Sequence, residues 1–99
     1  MLFFYGGGWC GAPTLSGTIE SCYQRSSTAL GSSKSYQKTL SFQAGILSDT
    51  EPNQFKDWTR VLLPYCDGSG HQGYKKDTVD YKGKKLYFRG SKITEGVFN

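Results

Sequence analysis

The sequence predicts a small α/β arrangement: two parallel buried strands joined through a helical crossover, followed by a β-hairpin. Three observations lead there. Two short apolar runs, Leu2-Phe3-Phe4-Tyr5 and Arg60-Val61-Leu62-Leu63-Pro64-Tyr65, read as buried strands with a stretch of helical periodicity between them. Each run empties into a glycine-rich loop, Gly6-Gly7-Gly8-Trp9 after the first and residues 66–74 after the second. Residues 78–81 and 84–88 flank Lys82-Gly83 and read as the hairpin. At 99 residues, 36% hydrophobic and 15% aromatic, the chain is at most one domain and globular in composition.

Taken in order, the glycine turn ends the first strand. Glycine reaches positive φ and lets another atom approach the amides, so such a turn can hold an anion, or a carbonyl oxygen becoming one. The same residues also suit a tight turn packed under Trp9. Residues 11–17 read as a loop. Thr18 is the expected N-cap of a helix, with Glu20 in its first turn. Ile19, Cys22, Tyr23 and Ser26 recur at helical spacing, which turns Cys22 inward, and the helix fades by Leu30-Gly31. Residues 35–43 are polar and leave their assignment open, 45–48 form a short buried piece, and 49–53 form a surface turn. Phe55 and Trp58, at i and i+3, suit one helical turn burying both rings. Pro64 closes the second strand, because proline cannot donate to a ladder. The second glycine loop then leaves the same end of a parallel pair as the first, the edge where ligands sit in open α/β sheets. After the hairpin, Gly90 breaks the chain and Ser91 caps a last helix carrying Ile93, Val97 and Phe98.

The net charge of +4 comes mostly from Lys75, Lys76, Lys82, Lys84, Lys85, Arg89 and Lys92. An acidic polymer or nucleic acid could meet such a stretch. Yet Lys85, Tyr87 and Arg89 alternate with Leu86 and Phe88, the pattern of a half-buried strand with a solvated face, so no nucleic-acid partner is expected. No apolar stretch approaches the roughly 20 residues of a membrane span. Met1-Leu2-Phe3-Phe4, without a basic leader or cleavage site, is not read as a signal peptide. Three cysteines, Cys10, Cys22 and Cys66, make an odd count: a free thiol, an intermolecular bond, or a partner outside this chain. A Cys10–Cys22 disulfide would tie the glycine turn to the helix, worth roughly 3 kcal/mol in an oxidising compartment. With no Cys-x-x-Cys spacing and one histidine, His71, neither a metal nor a cofactor is expected.

Read together, these residues resemble the pectin acetylesterase and Notum family. Gly6-Gly7-Gly8-Trp9-Cys10 is similar to its glycine-tryptophan-cysteine stretch. Thr18-Ile19-Glu20-Ser21-Cys22, Leu30-Gly31-Ser32-Ser33-Lys34, Gly45-Ile46-Leu47-Ser48, Trp58, Tyr65-Cys66-Asp67-Gly68 and Leu86-Tyr87-Phe88-Arg89-Gly90 follow in the family's order, across nearly the whole chain. The resemblance implies an incomplete α/β-hydrolase-like sheet, with residues 1–99 a partial domain lacking a first segment and the later part that bears a serine, aspartate, histidine triad. It implies that the backbone amides of Gly7 and Gly8 form the oxyanion hole and that Trp9 lines the acyl pocket, where core packing is its alternative. It pairs Cys10 with Cys22, and Cys66 with a cysteine ahead of the first strand.

His71 and Asp67 complete the expected substrate-contacting set. His71 has no serine placed as a nucleophile, so loop fixing or substrate contact suits it better than a base. Asp67 is also expected to order its own loop through nearby amides. Tyr81 and Tyr87 are expected to pack within their strands. The sequence holds no Gly-x-Ser-x-Gly turn. It also departs from plant members at Tyr5, where they carry an acid, at residues 11–17, which look inserted, and at His71, where they carry an aromatic residue. The implied function is removal of acetyl or other acyl groups from a polysaccharide, with the remainder of its own domain as partner and a secreted location. The alternatives are a non-catalytic, basic and aromatic carbohydrate-binding module, and a structural remnant without activity.

Overall fold

Aromatic and branched side chains favour extended backbone, and residues 2–4 and 61–63 adopt it. β1 (Leu2–Phe4) and β2 (Val61–Leu63) lie parallel, with Leu2 opposite Val61, Phe3 opposite Leu62 and Phe4 opposite Leu63. The computed structural model describes residues 1–42, 45–50 and 52–99. The ladder runs past both strand ends: Val61 N–H donates to the Met1 carbonyl and Tyr5 N–H to the Leu63 carbonyl, each at 2.9 Å. β2 stops just before Pro64, where the missing donor requires it to.

Helix α1 (Leu15–Arg25) starts earlier than its expected cap. Thr14, in extended backbone, is the N-cap, and its Oγ1 accepts the Gly17 N–H at 3.1 Å. Thr18 lies inside the helix, where its hydroxyl donates to the Ala12 carbonyl and accepts the Ala12 N–H. Either threonine could cap; with Thr14 in that role, Thr18 is free to secure the incoming loop. Glu20 therefore sits mid-helix, and the first turn carries no acid. The helix ends at Arg25, short of Leu30-Gly31, because the Ser26 hydroxyl donates to the Tyr23 carbonyl at 2.6 Å and competes with helical pairing. Cys22 is buried, as its spacing requires, and α1 packs on the hairpin, where Tyr23 meets Tyr81 edge-on at 5.4 Å.

The hairpin pairs β3 (Val79–Tyr81) with β4 (Lys84–Leu86), Val79 opposite Leu86. Lys82 (φ 49°) and Gly83 (φ 75°) supply the two left-handed residues that a two-residue hairpin loop needs. Leu86 is buried while Lys84, Lys85 and Tyr87 are exposed, so much of the basic run is a solvated face. Tyr87, 58% exposed and past the end of β4, does not pack within the strand as expected; Arg89 lies beside its ring instead.

A short 3-10 turn, Gly45–Leu47, buries Leu47 and the following Ser48 but leaves Ile46 outside. Arg60, entering β2, staples it: Nη1 donates to the Leu47 carbonyl at 2.6 Å and Nη2 pairs with Asp49. Of the surface turn expected at 49–53, Glu51 lies outside the described residues, as do Gln43 and Ala44 of the segments read before it. Phe55 and Trp58 meet edge-on at 5.1 Å, but Trp58 remains 55% exposed, which corrects the expectation that both rings are buried. Residues 54–57 form a turn too short to wrap two large rings.

The last helix, α2 (Gly90–Phe98), is not capped by Ser91. Its first N–H, on Gly90, donates to the Asp67 carboxylate from the loop after β2, a charge that the positive end of a helix also favours. Among the described residues the buried hydrophobic ones are Cys22, Leu47, Leu63, Tyr65 and Leu86, whereas Phe3, Phe4, Val61, Val97 and Phe98 stay exposed. The Cα radius of gyration is 15.8 Å, against about 13 Å for a compact chain of this length. A parallel pair is ordinarily covered on both faces; this one is not.

Glu20 joins α1 to the hairpin. Its carboxylate accepts the Tyr81 hydroxyl, Lys82 Nζ at 2.9 Å and Gln24 Nε2 at 2.9 Å. The Tyr81 hydrogen bond first, then Lys82 and Gln24, hold its pKa down to about 2 from an ordinary 4.5. A folded-state pKa below the unfolded one gives stability that is present above the unfolded value and is lost as pH falls through the folded value. Urea unfolding of wild type and Glu20→Gln should therefore differ most at pH 6, and the two should converge as pH drops from 4.5 toward 2.

Candidate active site

Because β1 and β2 run parallel, both glycine loops leave the same end of the pair. They are held together at Cys10. Its N–H donates to the Gly68 carbonyl at 3.2 Å, and its sulfur is bonded to Cys22 of α1, with the Cα atoms 4.9 Å apart. Gly68 has φ +75°, and a Cβ there would overlap Cys10 Sγ. Only glycine satisfies both the backbone and the contact.

Gly7 (φ +125°) and Gly8 (φ +47°) shape the first loop. The buried Tyr65 hydroxyl lies 2.5 Å from the Gly7 carbonyl oxygen and 2.9 Å from that of Gly8, so one proton serves both. The Arg25 guanidinium donates to the Gly8 carbonyl as well, and its Nε and Nη2 donate to the Leu30 carbonyl at 3.2 and 3.0 Å. A trans peptide is planar, so a C=O drawn to one side turns the next N–H to the other. The Gly8 and Trp9 N–H groups therefore lie on the side of their peptides away from Tyr65. Among the described residues, the amides of Gly6, Gly7, Gly8 and Trp9 donate to no acceptor, and all four residues are exposed. A groove of about 870 Å³ runs beside the turn, with Tyr5, Gly6, Gly7, Tyr36 and Tyr65 on its walls.

Trp9 is 79% exposed, and its indole lies over Gly70, where a Cβ would stand 2.9 Å from Nε1. His71 has φ +71°, and its Nε2 donates to the Tyr5 carbonyl at 3.1 Å, since that oxygen can only accept. Its ring stands edge-on to Phe4 and Tyr65, at 5.0 and 4.6 Å, and its carbonyl accepts the Thr94 hydroxyl. His71 thereby fixes the second loop to the end of β1.

Asp67 is buried. Its carboxylate accepts the Ser69 N–H at 3.0 Å, the Ser69 hydroxyl at 2.6 Å and the Gly90 N–H, so it orders its own loop and caps α2. Those bonds engage both oxygens. Cys66 is a free thiol, half-buried, and burial pushes its pKa up, with the Asp67 charge adding to the effect. Among the described residues, no three His, Cys, Asp or Glu side chains gather to hold a metal ion.

Sequence reasoning missed Tyr65 and Arg25. Tyr65 is legible only as the end of the second strand and Arg25 carries no motif, and only the fold brings them under the glycine carbonyls, 57 and 17 residues away from Gly8.

The sequence model of the family described as pectinacetylesterase matches residues 1–99. The chain is 36% identical over 96 residues to pectin acetylesterase 5 of Arabidopsis thaliana, covering 95% of this chain and 21% of that protein. It is 36% identical over 101 residues to pectin acetylesterase 4, covering 100% and 23%, and 40% identical over 97 residues to pectin acetylesterase 11, covering 95% and 22%, both from the same plant. The chain thus spans about a fifth of the length of these curated relatives. No solved structure matches it.

The close approach of Gly68 to Cys10 makes a contrast between two glycines. Gly68→Ala should lower stability by roughly 2 kcal/mol or more, from backbone strain and overlap with the disulfide sulfur. Gly6→Ala, with nothing within 4 Å of the added carbon, should change it by no more than about 0.5 kcal/mol. Chemical denaturation of the two variants measures both.

Proposed function

The chain belongs to the pectinacetylesterase family, and from that premise we propose that it supplies the anion-receiving part of a serine carboxylesterase that removes acetyl groups from a polysaccharide. The observation that carries this is the exposed pair of amides on Gly7 and Gly8, which have no acceptor among the described residues, with the Trp9 N–H next to them. When a nucleophile attacks an ester, the carbonyl electron pair moves onto oxygen, and the barrier falls if donors already point at that oxygen. A fixed donor of this kind contributes roughly 3 kcal/mol to the transition state. Here the donors are backbone groups on a turn tied to β2, α1 and the second loop, so little reorganisation is needed when charge develops.

The serine, its histidine and the supporting acid come from the remainder of the same domain, an α/β-hydrolase-like sheet of which β1 and β2 are two strands. The uncovered faces of Phe3, Phe4, Val97 and Phe98 support such a neighbour. Trp9, exposed beside the turn, borders the acyl group, and His71 sets the loop on the opposite side. The Cys10–Cys22 disulfide supports an extracellular location.

Acetate is the probe for the turn. Titrated into the 15N-labelled chain, it should shift the Gly7 and Gly8 amide resonances saturably; resonances that stay still would contradict the reading. With a chromogenic acetate ester, the 99-residue chain should show no turnover above buffer, and turnover that survives His71→Ala would show that these residues hold a complete site of another kind.

A further inference from the structure

The Tyr65 hydroxyl does two things a core tyrosine need not do. It sits under the carbonyls of two successive glycines, and its ring is held from opposite chemistries, with the Arg25 guanidinium 5.5 Å from its centroid and the His71 ring at 4.6 Å. The residue is 6% exposed, so the hydroxyl is a fixed donor rather than a surface group that happens to lie near. Arg25 adds a second donor to one of the two carbonyls only, that of Gly8.

Peptide planarity converts these bonds into directions. The Gly7 carbonyl shares its plane with the Gly8 N–H, and the Gly8 carbonyl shares its plane with the Trp9 N–H. Glycine has no Cβ to restrain its φ and ψ, so nothing intrinsic to Gly7 or Gly8 keeps those planes from turning. Without an acceptor among the described residues, the outward N–H groups do not hold themselves either. Orientation has to be imposed from the carbonyl side.

We propose that Tyr65 is the positioning residue of the glycine turn, aiming the Gly8 and Trp9 N–H groups outward through their own peptide carbonyls, and that Arg25 reinforces the second plane alone. Tyr65 touches no reacting atom; it acts through the backbone. The proposal rests on the reading of this turn as an anion receiver, but it concerns how the amides are held and not what they bind.

Two variants test it in the 15N-labelled chain by amide resonances. Tyr65→Phe keeps the ring and removes the donor, and should move both the Gly8 and the Trp9 amide resonances while leaving the β1–β2 amides of Phe3 and Leu62 in place. Arg25→Gln should move Trp9 and not Gly8. Packing alone would not give that split, because both glycines lie in the same loop. Unmoved Gly8 and Trp9 resonances in Tyr65→Phe, or equal movement of the two in Arg25→Gln, would overturn the proposal. If Tyr65→Phe does not fold, the Arg25→Gln split decides the question by itself. A chain whose amides shift as expected but ignore acetate would sink the anion-receiver reading and leave the positioning role standing.

Discussion

Cys10 seated against Gly68 is the constraint from which the candidate site follows. β1 and β2 are three residues each, too short to fix the path of the loops that leave them. What fixes those loops is one residue held on two sides: by the Gly68 carbonyl through its N–H, and by α1 through its sulfur. Because a side chain at position 68 would occupy the space of that sulfur, the second loop must be glycine there. Once Cys10 is placed, the Gly7-Gly8 segment has to bridge from the end of β1, and its carbonyls fall over Tyr65.

A second set of tethers joins the same loop to the end of the chain. Asp67 holds the first amide of α2 and the Ser69 hydroxyl, while His71 holds the Tyr5 carbonyl and takes the Thr94 hydroxyl on its own. The loop after β2 is thus the hub between β1, α1 and α2, although it contains no regular structure. Its polar groups are largely turned inward, whereas in the first glycine loop the Gly7 and Gly8 carbonyls are held and the amides of Gly6 to Trp9 have no acceptor among the described residues. That difference separates a loop that holds a site from a loop that could act in one.

Much of this was legible in the residues. Apolar runs at 2–5 and 60–65 gave the parallel pair, and Lys82-Gly83 gave the hairpin turn, because strand burial and left-handed turn residues leave strong local patterns. The start of α1 was misplaced because Thr14 and Thr18 are equally good caps in isolation, and the choice between them depends on Ala12, which local pattern does not weigh. The cap of α2 could not be seen, since its acid lies 23 residues away in another loop. Trp58 and Tyr87 were read as packed because aromatic residues usually are; here the surfaces that would cover them are not supplied by residues near them. Gly7 and Gly8 stand out as exposed amides, but the tyrosine and arginine that hold the Gly7 and Gly8 carbonyls carry no motif, and only the folded arrangement identifies them.

Hydrogen exchange of individual backbone amides tests the central claim most directly. The Tyr5 and Cys10 N–H groups bracket the turn and are bonded to the Leu63 and Gly68 carbonyls, while those between them have no acceptor among the described residues. The account predicts slow exchange at Tyr5 and Cys10 and nearly unprotected exchange at Gly7, Gly8 and Trp9, within one continuous stretch of chain. Protection at Gly7 and Gly8 equal to that of their bonded neighbours would mean that the amides are already satisfied, and the turn would then be a structural element with nothing to offer a developing charge.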